Sequence, residues 1–170
     1  MKVAVLGCGA IGGLILGYLS KGNQDVVGLV RDYQREPLLK EGLIIEGVRG
    51  SHKIKVNINT KLKQRVDLAI FAAKTNDLEE LIKDNREILK DSMIVSTQNG
   101  IQADYLLSSF YKPEKLISGI VMFGATFYSP NKIVHNFEGD FIELEPGDNT
   151  IVFTGTAGAG VKISFRASYY

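Results

Sequence analysis

Lys2-Val3-Ala4-Val5-Leu6-Gly7-Cys8-Gly9-Ala10-Ile11-Gly12-Gly13 decides how the remainder of the chain is read. Residues 2–6 form a short apolar run halted by glycine, the pattern of a strand buried on both faces. Past the glycines, Ile11, Leu14, Ile15, Tyr18 and Leu19 recur at three- and four-residue spacing and predict one helical stripe. Between strand and helix stands Gly7-x-Gly9-x-x-Gly12. In that setting the first glycine permits a tight turn. The second lets backbone approach a diphosphate, and the third lets the helix lie close to the strand. The helix start adds unpaired N–H groups and the positive end of its dipole. Cys8 is read as a small side chain in the turn rather than as a thiol activated by the helix start.

A nucleotide held there extends toward the tip of the next strand, predicted over residues 25–30. A carboxylate at that tip would accept hydrogen bonds from the ribose 2′-hydroxyl of NAD, whereas an arginine pairs with the 2′-phosphate of NADP. Arg31 occupies the tip and favours NADP(H) over NAD. Asp32 follows at once, and a shift of one residue in the strand end would favour NAD instead.

Working outward, residues 33–40 predict a short helix stopped by Gly42. Residues 43–46 and 52–57 predict a hairpin around Gly47 and Gly50. Residues 67–73 predict another buried strand. Asn76 and Glu79 suggest a capping box for a helix whose inner face is Leu78, Leu81, Ile82, Ile88 and Leu89. A strand over 93–96, a helix over 101–110 and an apolar run over 116–122 follow. Alternating strands and helices argue for an α/β, Rossmann-type fold: a mostly parallel sheet with helices on both faces. After Ser129-Pro130, residues 132–136 and 140–145 predict antiparallel strands joined at Gly139. Residues 1–153 are expected to form the nucleotide-binding domain, with 154–170 a tail or linker that is Gly/Ala/Thr-rich over 154–160 and has weak strand character beyond.

Composition narrows the partners. With 20 Lys and Arg against 19 Asp and Glu, the chain of 170 residues carries a net charge of +1. Nothing in that balance attracts nucleic acid or an anionic membrane. One cysteine cannot make an internal disulfide, no membrane span or leader is read, and the cytoplasm is the expected compartment. His52 and His135 have no metal-ligand spacing, so no metal site is expected.

Ligands of open α/β sheets bind beyond the carboxyl ends of the strands. Lys74 and Asn99 are the polar residues that follow buried runs there. Each also has an ordinary reading, as a solvated lysine and a capping residue.

At this point the chain resembles the ketopantoate (2-dehydropantoate) 2-reductases. The resemblance is carried, in order, by residues 5–13, Arg31, Lys74 and Gln98-Asn99-Gly100. More loosely it extends to Gly124-Ala125-Thr126, Pro130 and Ile133-Val134-His135. It implies reduction of a small 2-oxo acid, ketopantoate, to pantoate with NADPH, a step of pantothenate synthesis. It further implies that Gly7, Cys8, Gly9, Ala10, Ile11 and Gly12 hold the pyrophosphate and Arg31 the 2′-phosphate. Lys74, Asn99 and the backbone near Ala125 would face the nicotinamide, with Lys74 and Asn99 in electrostatic and positioning roles. Members of the family carry a second, helical domain that supplies the lysine proton donor. Its Trp-containing opening is not found here, because the chain has no Trp. The 170-residue chain is therefore expected to bind NADPH with little turnover, and to self-associate if an interdomain face is left bare. Two alternatives stay open: a nucleotide-sensing regulatory domain without chemistry, and a reductase of another small 2-oxo acid.

Overall fold

The computed structural model describes residues 1–139. In chain order the elements are β1 (Val3–Leu6), α1 (Ala10–Lys21), β2 (Val26–Leu29), α2 (Asp32–Glu41), β3 (Leu43–Gly47), β4 (His52–Ile54) and β5 (Ile58–Asn59). They continue with β6 (Leu68–Phe71), α3 (Thr75–Leu89), β7 (Met93–Ser96), α4 (Gln102–Ser108), β8 (Leu116–Ser118), β9 (Phe123–Ser129) and β10 (Lys132–Glu138). β1 lies inside a six-stranded sheet of order β5-β2-β1-β6-β7-β8, and every pairing in it is parallel. The chain runs outward from β1 to β2 and β5 on one side, then returns to build β6, β7 and β8 on the other. The switch in direction therefore falls at β1.

The period-two alternation of β1 separates two cores. Ala4 and Leu6 face a cluster with Phe71, Ile94, Leu78, Ile82, Leu89 and Leu107, which brings α3 and α4 onto one face. Val3 and Val5 face the other cluster, with Leu14, Leu16, Ile45, Ile54 and Ile133. On this second side α1 covers the parallel sheet, and a four-stranded sheet of order β4-β3-β10-β9 packs over α1. Two hairpins build that sheet, β3–β4 and β9–β10, joined by the parallel pair β3–β10.

Position between two sheets explains why the α1 stripe differs from expectation. Leu14 is buried, but Ile11, Ile15, Tyr18 and Leu19 are only half-buried, while Gly12, Gly13, Leu16 and Gly17 are buried. A helix with a sheet on either side has two inner faces, and Gly13 and Gly17 lie on the one toward the second sheet. A Cβ on Gly13 or Gly17 would collide with Cδ1 of Ile133 or Ile45 in the second sheet.

Three other expectations are corrected. α3 begins at Thr75 with Lys74 as its N-cap, so the Asn76–Glu79 capping box does not form. The inner face of α3 is otherwise as read, with Leu81 and Ile88 at its margin. β4 ends at Ile54, and residues 58–59 turn away to pair with β2 in the parallel sheet. The strand β10 takes β9 as its antiparallel partner through the Pro130-Asn131 turn, while β3 fills its other edge over Lys132–His135. The predicted partner strand 140–145, the 153/154 boundary and the tail lie outside the described residues.

Candidate functional site

The turn after β1 shows why glycine is needed at each motif position. Gly7 has φ +91°, a left-handed value that L side chains rarely adopt. A Cβ there would also lie 2.6 Å from the backbone nitrogen of Ala73. A Cβ at Gly12 would strike the Gly7 carbonyl oxygen and stand 3.0 Å from the Ala72 side chain. Gly9 differs. A Cβ there meets nothing within 4 Å, and the residue is exposed. Sterics within the chain thus explain Gly7 and Gly12 but not Gly9, whose open side is the approach a diphosphate would use.

Around this opening three helices begin at the carboxyl edge of the parallel sheet. Gly9 caps α1, Arg31 caps α2 and Lys74 caps α3, and none of the three makes a side-chain capping bond. The N–H groups of Ala10, Ile11 and Gly12 precede the first α1 bond, from the Gly13 N–H to the Gly9 carbonyl at 2.9 Å. No acidic residue lies in the first turn of α1 to offset the dipole. Ala10 and Ile11 are half-buried at this rim. The donor set suits an anion and would hold the diphosphate of a dinucleotide.

Cys8 is buried beneath the turn. Its Sγ contacts the Val5 carbonyl at 3.6 Å, and burial pushes its pKa up to about 12. The thiol is a packing group, as the sequence suggested. The backbone of Cys8 is better used: its N–H donates to the Leu29 carbonyl at 3.3 Å, and its carbonyl accepts from Gln34 Nε2 at 2.9 Å. The Arg31 N–H donates to Oε1 of the same Gln34 at 3.1 Å. Buried Gln34 therefore bolts the glycine turn to the β2–α2 corner. Sequence reading missed it, since a glutamine inside a predicted helix gives no sign of being buried.

Arg31 is exposed, and its Nη2 lies 2.7 Å from Asp77 Oδ2 in the first turn of α3. Lys74 and Asn99 are also exposed. They follow the adjacent strands β6 and β7, about 5 Å apart. Gln98 braces both loops: its Nε2 donates to the carbonyls of Phe71 at 3.1 Å and Ala73 at 2.9 Å. Its Oε1 is buried without a partner among the described residues. Ala125 stands elsewhere, half-buried in β9 opposite His135. His135 itself is buried with Nδ1 2.9 Å from the Tyr18 hydroxyl, and His52 lies in β4, so both histidines belong to the second sheet. The edge thus gathers Gly7–Gly12, Arg31, Lys74 and Asn99, while Ala125 belongs to the other sheet.

Residues 3–149 match the model of the family described as "Ketopantoate reductase PanE/ApbA". The chain belongs to the ketopantoate reductase family. It is 34% identical over 134 residues to a 2-dehydropantoate 2-reductase of Pyrococcus abyssi, covering 78% of this chain and 44% of that protein. Identity to the 2-dehydropantoate 2-reductase of Pyrococcus horikoshii is 31%, with the same coverage of each. The ketopantoate reductase part present here thus spans less than half the length of these relatives. Among solved structures, 2-dehydropantoate 2-reductase from Geobacter metallireducens superposes with a TM-score of 0.74 at 23% identity, over 82% of this chain and 47% of that one. A D-mandelate dehydrogenase, solved as a ternary structure with NADH and anilino(oxo)acetate, gives 0.74 at 23% identity, over 79% of this chain and 45% of that one. At those identities the likeness concerns the α/β Rossmann-like fold.

Proposed function

We propose that this chain is the NADP(H)-binding portion of a reductase that converts ketopantoate to pantoate. The observation that carries the reading is the glycine turn. It leaves one glycine open to solvent at the sheet's switch point, above unpaired helix N–H groups, in a chain of the ketopantoate reductase family. Residues Gly7, Cys8, Gly9, Ala10, Ile11 and Gly12 hold the diphosphate through backbone, and Arg31 pairs with the 2′-phosphate. Bound NADPH supplies the hydride. The Lys74 ammonium and the Asn99 amide, on neighbouring strand ends, orient the reacting groups and stabilise negative charge growing on the carbonyl oxygen. Ala125 joins this set through family resemblance alone. The proton donor is assigned to no residue of this chain. The 170-residue polypeptide is expected to bind NADPH while reducing ketopantoate slowly, in the cytoplasm.

Titration of the purified chain with NADPH and NADH, followed by nucleotide fluorescence, tests the reading. Gly9→Ala is the informative variant, because its methyl enters empty space. We expect a fall in melting temperature no larger than a weaker N-cap causes, and about tenfold or greater loss of NADPH affinity, as one blocked phosphate contact implies. Failure of the folded wild-type chain to bind either nucleotide would end the proposal. Because D-mandelate dehydrogenase was solved with NADH, rates with other 2-oxo acids and with NADH belong in the same experiment. Faster turnover with any of those would replace ketopantoate or NADPH in the assignment.

A further inference from the structure

The Arg31–Asp77 ion pair crosses the mouth of the groove. Arg31 stands beyond β2 and Asp77 in the first turn of α3 beyond β6, with β1 between those strands. The pair therefore spans two strand intervals, about 10 Å, over the carboxyl end of β1 where the glycine turn starts. Its side chains are 67% and 46% exposed, so water screens the pair and either partner can swing away. A guanidinium keeps its charge at any accessible pH, whereas a carboxylate and a phosphate compete for the same fork of donors. A 2′-phosphate reaching Arg31 either displaces the Asp77 carboxylate from the guanidinium or binds the remaining N–H donors beside it, and in both cases stays next to a like charge. A ribose with a free 2′-hydroxyl meets neither penalty.

From this geometry we infer that Asp77 is a specificity-determining residue: its carboxylate competes for Arg31 and holds down the preference for NADP(H) over NAD(H). The inference rests on the reading of Arg31 as the 2′-phosphate partner. A purely local role is also available to Asp77, since a carboxylate in a first helical turn stabilises the helix. That role would alter melting temperature without separating the two nucleotides.

NADPH and NADH titrations of the wild type, Asp77→Asn, Arg31→Ala and the double variant distinguish these, at low and at high salt, with thermal melts as the fold control. Asp77→Asn should tighten NADPH by about two- to fivefold, the size of an exposed charge pair, and leave NADH unchanged. The gain should shrink at high salt. It should also be smaller in the Arg31→Ala background, because the two residues act on one contact. Weaker NADPH binding by Asp77→Asn, or equal shifts for both nucleotides, would overturn the proposal while leaving Arg31 in place. If Arg31→Ala kept the wild-type nucleotide preference, the 2′-phosphate assignment itself would fall and take this inference with it.

Discussion

At the scale of single residues, the glycine turn is made by groups whose side chains are missing or turned inward. Gln34 is the clearest case of the latter. Its amide satisfies the Cys8 carbonyl and the Arg31 N–H together, so two corners of the nucleotide groove share one support. Gln34→Ala leaves both backbone groups short of a partner, which costs about 1–3 kcal/mol. We expect a lower denaturation midpoint together with weaker NADPH binding, and an affinity equal to wild type would show that the bolt does not set the groove. Cys8 supports a prediction about pH. Burial raises its thiol from 9.0 to about 12, so the folded state keeps its proton longer than the unfolded chain does. Its contribution to stability is intact below pH 9 and is lost as pH climbs toward 12. Alkylation at pH 8 should be slow in the native protein and fast in denaturant, and the denaturation midpoint should fall between pH 9 and 11. Rapid native labelling would contradict the buried assignment.

At the scale of elements, α3, which borders the groove, begins on a residue that caps poorly. Sequence reading put the start of α3 at Asn76, because Asn accepts a backbone N–H and Glu79 can reciprocate. The structure starts it earlier, at Thr75, with Lys74 in the capping position. Capping chemistry was legible, but the length of the β6–α3 connection was not. That length is fixed by Ala73 lying under Gly7 and by Gln98 gripping the Ala73 carbonyl, contacts between segments far apart in sequence. A lysine that caps badly at a ligand-facing edge is where local preference and use conflict. Lys74→Ser should therefore raise stability by about 1 kcal/mol by adding a side-chain cap. The same change should lower the rate of NADPH oxidation by ketopantoate about tenfold or more, through loss of the preplaced charge. Thermal melts and rate measurements on the same sample separate the two effects. A stability unchanged or reduced would refute the capping argument, and an unchanged rate would remove Lys74 from the chemistry.

At the scale of the whole described molecule, α1 serves two layers, and the sequence disclosed only one of them. The apolar runs that form β1, β6 and β7 announced the parallel sheet, since strands buried on both faces need no pattern beyond continuity. The second sheet was legible as the β3–β4 hairpin but not as a layer over α1. Its joining pair β3–β10 links residues almost ninety positions apart, Lys132 to Ile44, and no local pattern encodes that pairing. Glycine was the available sign: Gly13 and Gly17, one helical turn apart, offer a groove that Ile133 and Ile45 enter. Because the N-terminal half of α1 is pinned by Gly12 against the Gly7 carbonyl, and Leu16 is pressed on Gly28, added bulk at Gly17 should displace the second sheet rather than the phosphate cradle. Gly17→Val should thus destabilise the chain by about 1–3 kcal/mol, as overpacking does, and lower the melting temperature by several degrees. NADPH affinity of the folded fraction should stay within about twofold of wild type, a change below 0.5 kcal/mol. A melt and a titration below the melting range check the pair of outcomes. Loss of affinity in proportion to loss of stability would mean that the second sheet holds the cradle in shape, and that α1 transmits strain along its length instead of dividing the two layers.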